Sequence, residues 1–339
     1  MSSGSIVRRR WLLAARILIL ALLVAAAILS GKSASFIYVR ALVFLLLGGI
    51  ATSLMSFSGI EMQTAFAHAA GVRGDREEML ISSLFWESVA RNFWMLGVLA
   101  STLSFVIALG DRTGNLSTIT LAMASSLLAV FYGVILAIIC YIPHWKLSRE
   151  FRNQPPQASG SSETATPKPI VALSAGNIIG YFLFLAIMAS MLRKPLLSES
   201  WAALQWIAYW PSLLVVLGGT LALVLFVGEA ASGSTISLSF AITGLLGSLM
   251  GFIQALLGFS ATSIEEVALA ITFILSSCFA ALLGMLLIGA PMEDRSAKAG
   301  RTTSQSVFSR LSWYAFPLIA FILMILTFIL VVTPITIKA

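Results

Sequence analysis

Charge is scarce in this sequence: Asp, Glu, Lys and Arg together make up 10% of 339 residues, against 59% hydrophobic. A soluble domain carries roughly a quarter charged residues. A chain this poor in charge cannot cover a surface facing water, which excludes a soluble enzyme and a soluble binding module. Histidine is nearly missing, with only His68 and His144. Both sit beside predicted membrane edges, and neither has a partner at metal-ligand spacing. No glycine-rich phosphate loop, metal cluster or nucleophile motif occurs, so the chain reads as no enzyme, needing no metal or cofactor. Cysteine is limited to Cys140 and Cys278. Both lie inside apolar runs, which predicts buried free thiols and excludes a disulfide framework. The net charge of +7 does not imply nucleic acid, because the basic residues fall in loops beside apolar segments.

Long apolar runs are what the sequence does have. A bilayer core of roughly 30 Å needs about 20 apolar residues per helix. Nine stretches qualify as candidate spans: 12–30, 37–57, 93–110, 117–143, 170–191, 208–228, 236–258, 266–290 and 312–334. Continuous apolar runs point to helices, because an open sheet cannot satisfy its edges in lipid. The expected fold is all-α, a polytopic transmembrane helical bundle of about nine spans. Arg8-Arg9-Arg10 before the first run has the charge order of a signal peptide. That run is nevertheless of span length and no clean cleavage site follows, so it reads as a retained span. With the amino terminus in the cytoplasm, fourteen of the 21 Lys and Arg residues lie inside and six outside, with Arg16 in the first span. The positive-inside rule thus favours a cytoplasmic amino terminus and a carboxyl terminus on the far side.

Residues 148–169 are rich in Pro, Ser, Thr and Gly and read as a flexible cytoplasmic linker between two halves. Residues 58–92 read as a cytoplasmic insertion: a helix-capable stretch around Glu61, Phe66 and His68, a break at Gly71–Gly74, then a second helix. That helix has Leu80, Leu84 and Val89 on one apolar side and Glu77, Glu87 and Arg91 elsewhere, as in a membrane-proximal or inter-subunit helix. Residues 292–339 comprise a polar connector and the ninth span, expected on the outside of the bundle. Apart from Arg16, no charge falls at mid-depth; Asp111, Glu229, Glu265 and Glu266 lie at segment ends. Glu265 and Glu266 open the eighth span, where they either draw cations to an outer mouth or stabilise a helix N-terminus. Trp201, Trp206, Trp210 and Trp313 read as interfacial anchors.

The two halves resemble each other. Residues 1–147 and 170–291 each hold four spans. A displacement of 147 positions superposes the third span on the seventh and the fourth on the eighth. Gly97, Ser101 and Ser104 then match Gly244, Ser248 and Gly251, on one helix face at i, i+4 and i+7. Ser125, Ala129, Gly133 and Ala137 match Thr272, Ser276, Ala280 and Gly284. Because four is even, the units run parallel rather than inverted. Small residues on such faces let helices approach in lipid. Repeated in both halves, they suit either packing or the lining of a shared axis or pore.

The segments PSLLVVLGGTLALVLF (211–226), GLLGSLMGFIQALL (244–257) and ALAITFILSSCFAALLG (268–284) carry a family likeness. So do FWESVARNFWMLGVLASTLSFVIAL (85–109) and MASSLLAVFYGVILAIICYIPHWKL (123–147) in the first half. Together they resemble the MotA branch of the MotA/TolQ/ExbB proton-channel family, in a tandem-duplicated form. The resemblance implies a bacterial inner-membrane subunit that forms a homo-oligomeric ring, typically a pentamer, in membrane lipid. The ring would surround a MotB/ExbD/TolR-like single-span partner with a membrane aspartate and couple proton or sodium flow, under the proton motive force, to work. By position, the family's ion-path hydroxyls fall on Ser248, Ser276 and Ser277. In the first half they fall on Ser101, Ala129 and Val130, so the hydroxyl pair of the last span is missing there. The large cytoplasmic domain of flagellar members shrinks here to residues 58–92 and a short second loop, which argues against flagellar torque. Two alternatives stand beside this reading. One is a non-conducting membrane scaffold of the same fold. The other is a small-solute transporter, against which the lack of a broken helix or buried polar cluster counts.

Overall fold

A computed structural model describes residues 39–72, 74–110, 116–153, 175–197, 209–227, 233–260, 264–298, 313–326 and 329. The first candidate span, Trp201 and Trp206 lie outside them. Among the described residues every regular element is helical and no strand occurs. Helix α1 (Val39–Ser56) buries Ala41, Phe44 and Leu45 and exposes Leu42, Val43, Leu46, Leu47 and Ile50. Both faces are apolar, which suits a helix packed on one side and facing lipid on the other.

The chain then bends by 114° into α2 (Gly59–Ala70). Ser58 makes the corner: its hydroxyl accepts the Glu61 N–H, and the Glu61 carboxylate accepts the Ser58 N–H at 2.7 Å. This capping box satisfies donors that a helix start leaves unpaired. Gly71, at φ 110°, closes α2 in the left-handed region that a residue with Cβ adopts at a cost.

Helix α3 (Arg76–Gly110) has 35 residues without a break. The separate insertion helix and the span from 93 onward are therefore one element, about 52 Å long at ~1.5 Å per residue, well over a ~30 Å bilayer core. Helix α4 (Leu116–Asn153) runs antiparallel to it and carries Pro143 inside. It continues into the stretch read as linker, so residues 148–153 are helical. Contacts explain why: Leu147 is buried, Lys146 Nζ donates to the Ala69 carbonyl at 3.1 Å, and the Arg76 guanidinium lies 4.8 Å over the Phe151 ring.

Helix α5 is Ala175–Leu197. Helix α6 joins Trp210–Leu213, a π turn at Leu214–Gly218, and Gly219–Val227. Helix α7 is Gly233–Ser260. Helix α8 joins Ile264–Gly284, a π turn at Met285–Gly289, and Ala290–Lys298, which makes the start of the predicted connector helical too. Helix α9 is Trp313–Leu326, with Trp313, Phe316, Ala320 and Leu323 buried as a stripe and Leu318, Ile319 and Ile322 exposed.

Among the described residues, three helical stretches are long and apolar enough to cross a membrane: Ala124–Phe151, Gly233–Ala255 and Leu269–Lys298. The bent α1–α2 pair makes a fourth if counted as one span, and Gly176–Ser190, Trp210–Leu225 and Trp313–Leu326 are shorter apolar helices. The chain is thus an α-helical protein with the makings of a multi-pass membrane protein. From Ala41 onward it forms one unit, in which α3 on α4 and α7 on α8 pack most extensively.

Candidate functional site

Helices α6, α7 and α8 bring the predicted path hydroxyls together. Ser248 on α7 contacts Cys278 Sγ on α8 at 3.1 Å and donates to the Gly244 carbonyl at 2.7 Å. Ser212 on α6 donates to Ser276 on α8 at 2.6 Å. Ser277 Oγ faces Gly247 and has no hydrogen-bond partner among the described residues. Thr220 and Thr243, 2.9 Å apart, carry a hydroxyl contact between α6 and α7 as well. Ser248, Ser276 and Ser277 are all buried within these helix contacts rather than placed on an open face. Both thiols are free and buried.

In the first half, Ser101 on α3 hydrogen-bonds Ser126 on α4. Ser126 lies three residues before Ala129, about one helical turn. A hydroxyl contact between α3 and α4 thus lies one turn from Ala129, and the Ser125-Ser126 pair is its sign in the sequence.

The small residues sit at helix crossings. A Cβ on Gly97 would lie 3.1 Å from the Ala129 carbonyl and from Gly133 Cα, and one on Gly133 would lie 2.8 Å from the Phe93 carbonyl. Only hydrogens fit between these two backbones. Gly244 faces Ala281 and Phe316, Gly251 faces the Ala270 carbonyl and Ile274, and Ala280 is buried. Ser104 donates to the Ala100 carbonyl of its own helix at 2.9 Å. Glu265 and Glu266 fall in the first turn of α8, but their side chains lie outside the described residues.

A second site was not foreseen. Arg91 on α3, expected on a polar side, is only 6% exposed. Its Nη2 donates to Asp294 Oδ1 on α8 at 2.9 Å, and Ser88 donates to Asp294 Oδ2 at 2.6 Å. Its Nη1 lies 3.8 Å from Glu293 Oε2, which accepts the Trp313 indole N–H of α9 at 2.7 Å. The guanidinium stacks 4.2 Å over the Trp313 ring. A buried polar cluster therefore does exist. Trp313, at 2% exposure, is packed inside it rather than facing outward as an anchor would, whereas Trp210 is 67% exposed. Protein-family models, curated proteins and solved structures were all compared with this chain, and none matches.

Beside this cluster, Lys298 Nζ binds Glu61 at 2.8 Å and lies 4.3 Å over the Phe57 ring. Arg295 Nη2 donates to the Met55 carbonyl at 3.0 Å, and Asn177 Nδ2 donates to the carbonyls of Leu54 and Met55. The end of α8 thus meets the corner between α1 and α2. His68 is buried against Ser82 at 2.8 Å, and His144 Nδ1 lies 2.9 Å from the Ser83 carbonyl. No group of three His, Cys, Asp or Glu side chains suited to a metal occurs among the described residues.

Proposed function

We propose that this chain is a non-enzymatic, inner-membrane subunit of an ion-driven energy-coupling complex of the MotA/TolQ/ExbB kind. In this reading it assembles as a ring around a separate single-span partner that supplies a membrane aspartate. The observation that carries the proposal is the hydroxyl seam of α6, α7 and α8. Ser248, Ser276 and Ser277, reached by resemblance alone, all lie in the contacts of α8 with α6 and α7: Ser276 is bonded to Ser212, Ser248 touches Cys278, and the Ser277 hydroxyl faces Gly247 with no hydrogen-bond partner among the described residues. A buried polar atom without a partner is costly in an apolar interior, so its retention on this seam supports a role in handling an ion. The tandem repeat of parallel four-span units, about nine spans in all, belongs to the same proposal. Its support is that Gly97 meets α4 at Gly133 while Gly244 meets α8 at Ala281, a spacing that differs by one residue between halves.

The test is proton or sodium flux in proteoliposomes holding the chain with its co-purified partner. Ser277→Val is expected to abolish flux while the complex still assembles; unaltered flux removes the seam from the path. One observation favours a second reading, a non-conducting scaffold of the same fold: every other hydroxyl of the seam is bonded inside the chain and closed to solvent. Purification of the chain alone, with no single-span partner, would select that reading.

A further inference from the structure

Helices α1 and α3 meet along two rows of side chains at i, i+4 spacing, which a helix presents on one face. On α1 the row is Gly48, Thr52 and Ser56; on α3 it is Ser88, Asn92 and Leu96. A Cβ on Gly48 would lie 3.2 Å from the Leu96 side chain, and the Phe57 and Phe85 rings stand 5.2 Å apart. The two helices are therefore antiparallel, and their register sets Thr52 opposite Asn92 and Ser56 opposite Ser88. All four of these polar side chains are buried, and Asn92 is completely so at 0% exposure.

Two of the four have partners. Thr52 turns its hydroxyl back to the Gly48 carbonyl at 2.9 Å, and Ser88 donates to Asp294 on α8 at 2.6 Å. The other two do not. The Ser56 hydroxyl, and both Nδ2 and Oδ1 of Asn92, have no hydrogen-bond partner among the described residues. A hydroxyl can rotate onto the carbonyl of the preceding turn, as that of Thr52 does. A carboxamide is not satisfied so easily, because it carries two N–H donors and a carbonyl acceptor. Buried polar groups of this kind are as a rule hydrogen-bonded to protein or to an ordered water.

We propose that the contact between α1 and α3 holds an internal water site, in which water bridges the Asn92 carboxamide and the Ser56 hydroxyl. Water fits because it both donates and accepts, as an uncharged amide and a hydroxyl require, and these groups supply the two to four polar partners that a buried water needs. A hard cation would find too few oxygen ligands here. The site adjoins the junction of the two halves through Ser88, which stands between Asn92 and Asp294. It thus gives an otherwise apolar bundle a hydrated layer beside the Arg91–Asp294 pair. This proposal depends neither on the hydroxyl seam of α6, α7 and α8 nor on conduction.

Water-edited solid-state NMR of the full-length, ¹⁵N-labelled chain in lipid bilayers tests it, since magnetisation then passes from water to the amides near it. The Asn92 side-chain amide is expected to gain water magnetisation several-fold faster than the backbone amides of Met95 and Leu96, which are fully buried one turn away. That comparison needs no variant to fold, and a build-up at Asn92 as slow as theirs overturns the proposal. Ser56→Ala is expected to slow the transfer to Asn92; an unchanged rate overturns the bridge. Asn92→Leu is expected to lower the unfolding temperature. A higher one would also overturn the proposal, because relief on removing the amide means that it was dry and unpaired.

Discussion

At the scale of single residues, the ion cluster is the place where one change costs most. Asp294 compensates a buried Arg91, and removing one partner of such a pair strands the other. Asp294→Ala is therefore expected to lower stability by about 3–5 kcal/mol, read as thermal unfolding in detergent micelles. In a double-mutant cycle, Arg91→Ala together with Asp294→Ala should cost much less than the sum of the two, with a coupling of about 1 kcal/mol or more. Additive losses would mean that the pair is not the interaction that matters. This cluster was not legible in the sequence. Arg91 and Asp294 lie 203 positions apart; Arg91 reads as the polar side of a membrane-proximal helix and Asp294 as part of a polar connector. The glycine and serine faces at 97–104 and 244–251 were legible because a helix face repeats every few residues and needs no distant partner.

At the scale of elements, local chemistry decides where helices stop more than hydropathy does. The corner between α1 and α2 forms because Ser58 and Glu61 cap one helix start, while Asn177 and Arg295 take up the last carbonyls of α1. A helix end whose carbonyls lack partners is unfavourable in an apolar setting, so α5 and α8 hold the corner in place. Ser58→Ala should cost about 1 kcal/mol. Hydrogen exchange at the first amides of α2, Glu61 and Met62, should then run roughly 5-fold faster, while α3 is unchanged. Equal acceleration in α3 would show that the cap supports the whole unit rather than one corner. The Ser-x-x-Glu pattern at Ser58 and Glu61 is legible in the sequence as a capping box, and the stop at Gly71 follows from the glycine break at Gly71–Gly74. The reach of α3 back to Arg76, and of α8 forward to Lys298, escaped a reading by apolar length. Backbone hydrogen bonds continue through polar residues wherever side chains such as Arg91 and Asp294 find partners.

At the scale of the whole molecule, the question is what holds the two halves together. The composition read directly as a helical membrane chain. The pairing of its parts did not, because lipid-facing Leu and Ile look the same as Leu and Ile between helices. Residues 41–153 and 175–326 are joined by directed contacts: Arg91 to Asp294, Glu61 to Lys298, and Asn177 to the end of α1. Gly180 adds a close approach, since a Cβ there would lie 2.7 Å from Met55 N and 2.8 Å from the Ala51 carbonyl. These contacts do not depend on a covalent link between the halves. Fragments 1–160 and 161–339, co-expressed as separate chains, are therefore expected to purify as one complex, and Asp294→Ala with Lys298→Ala should release them. Separate purification would mean that tethering alone keeps the halves together. The contacts are also one-sided: Glu61 and Arg91 belong to the first half, Asp294 and Lys298 to the second, and neither set recurs at the 147-position displacement. Halves that meet this way cannot be exchanged one for the other. Two copies of the first fragment should accordingly fail to replace the second, however similar their small-residue faces are.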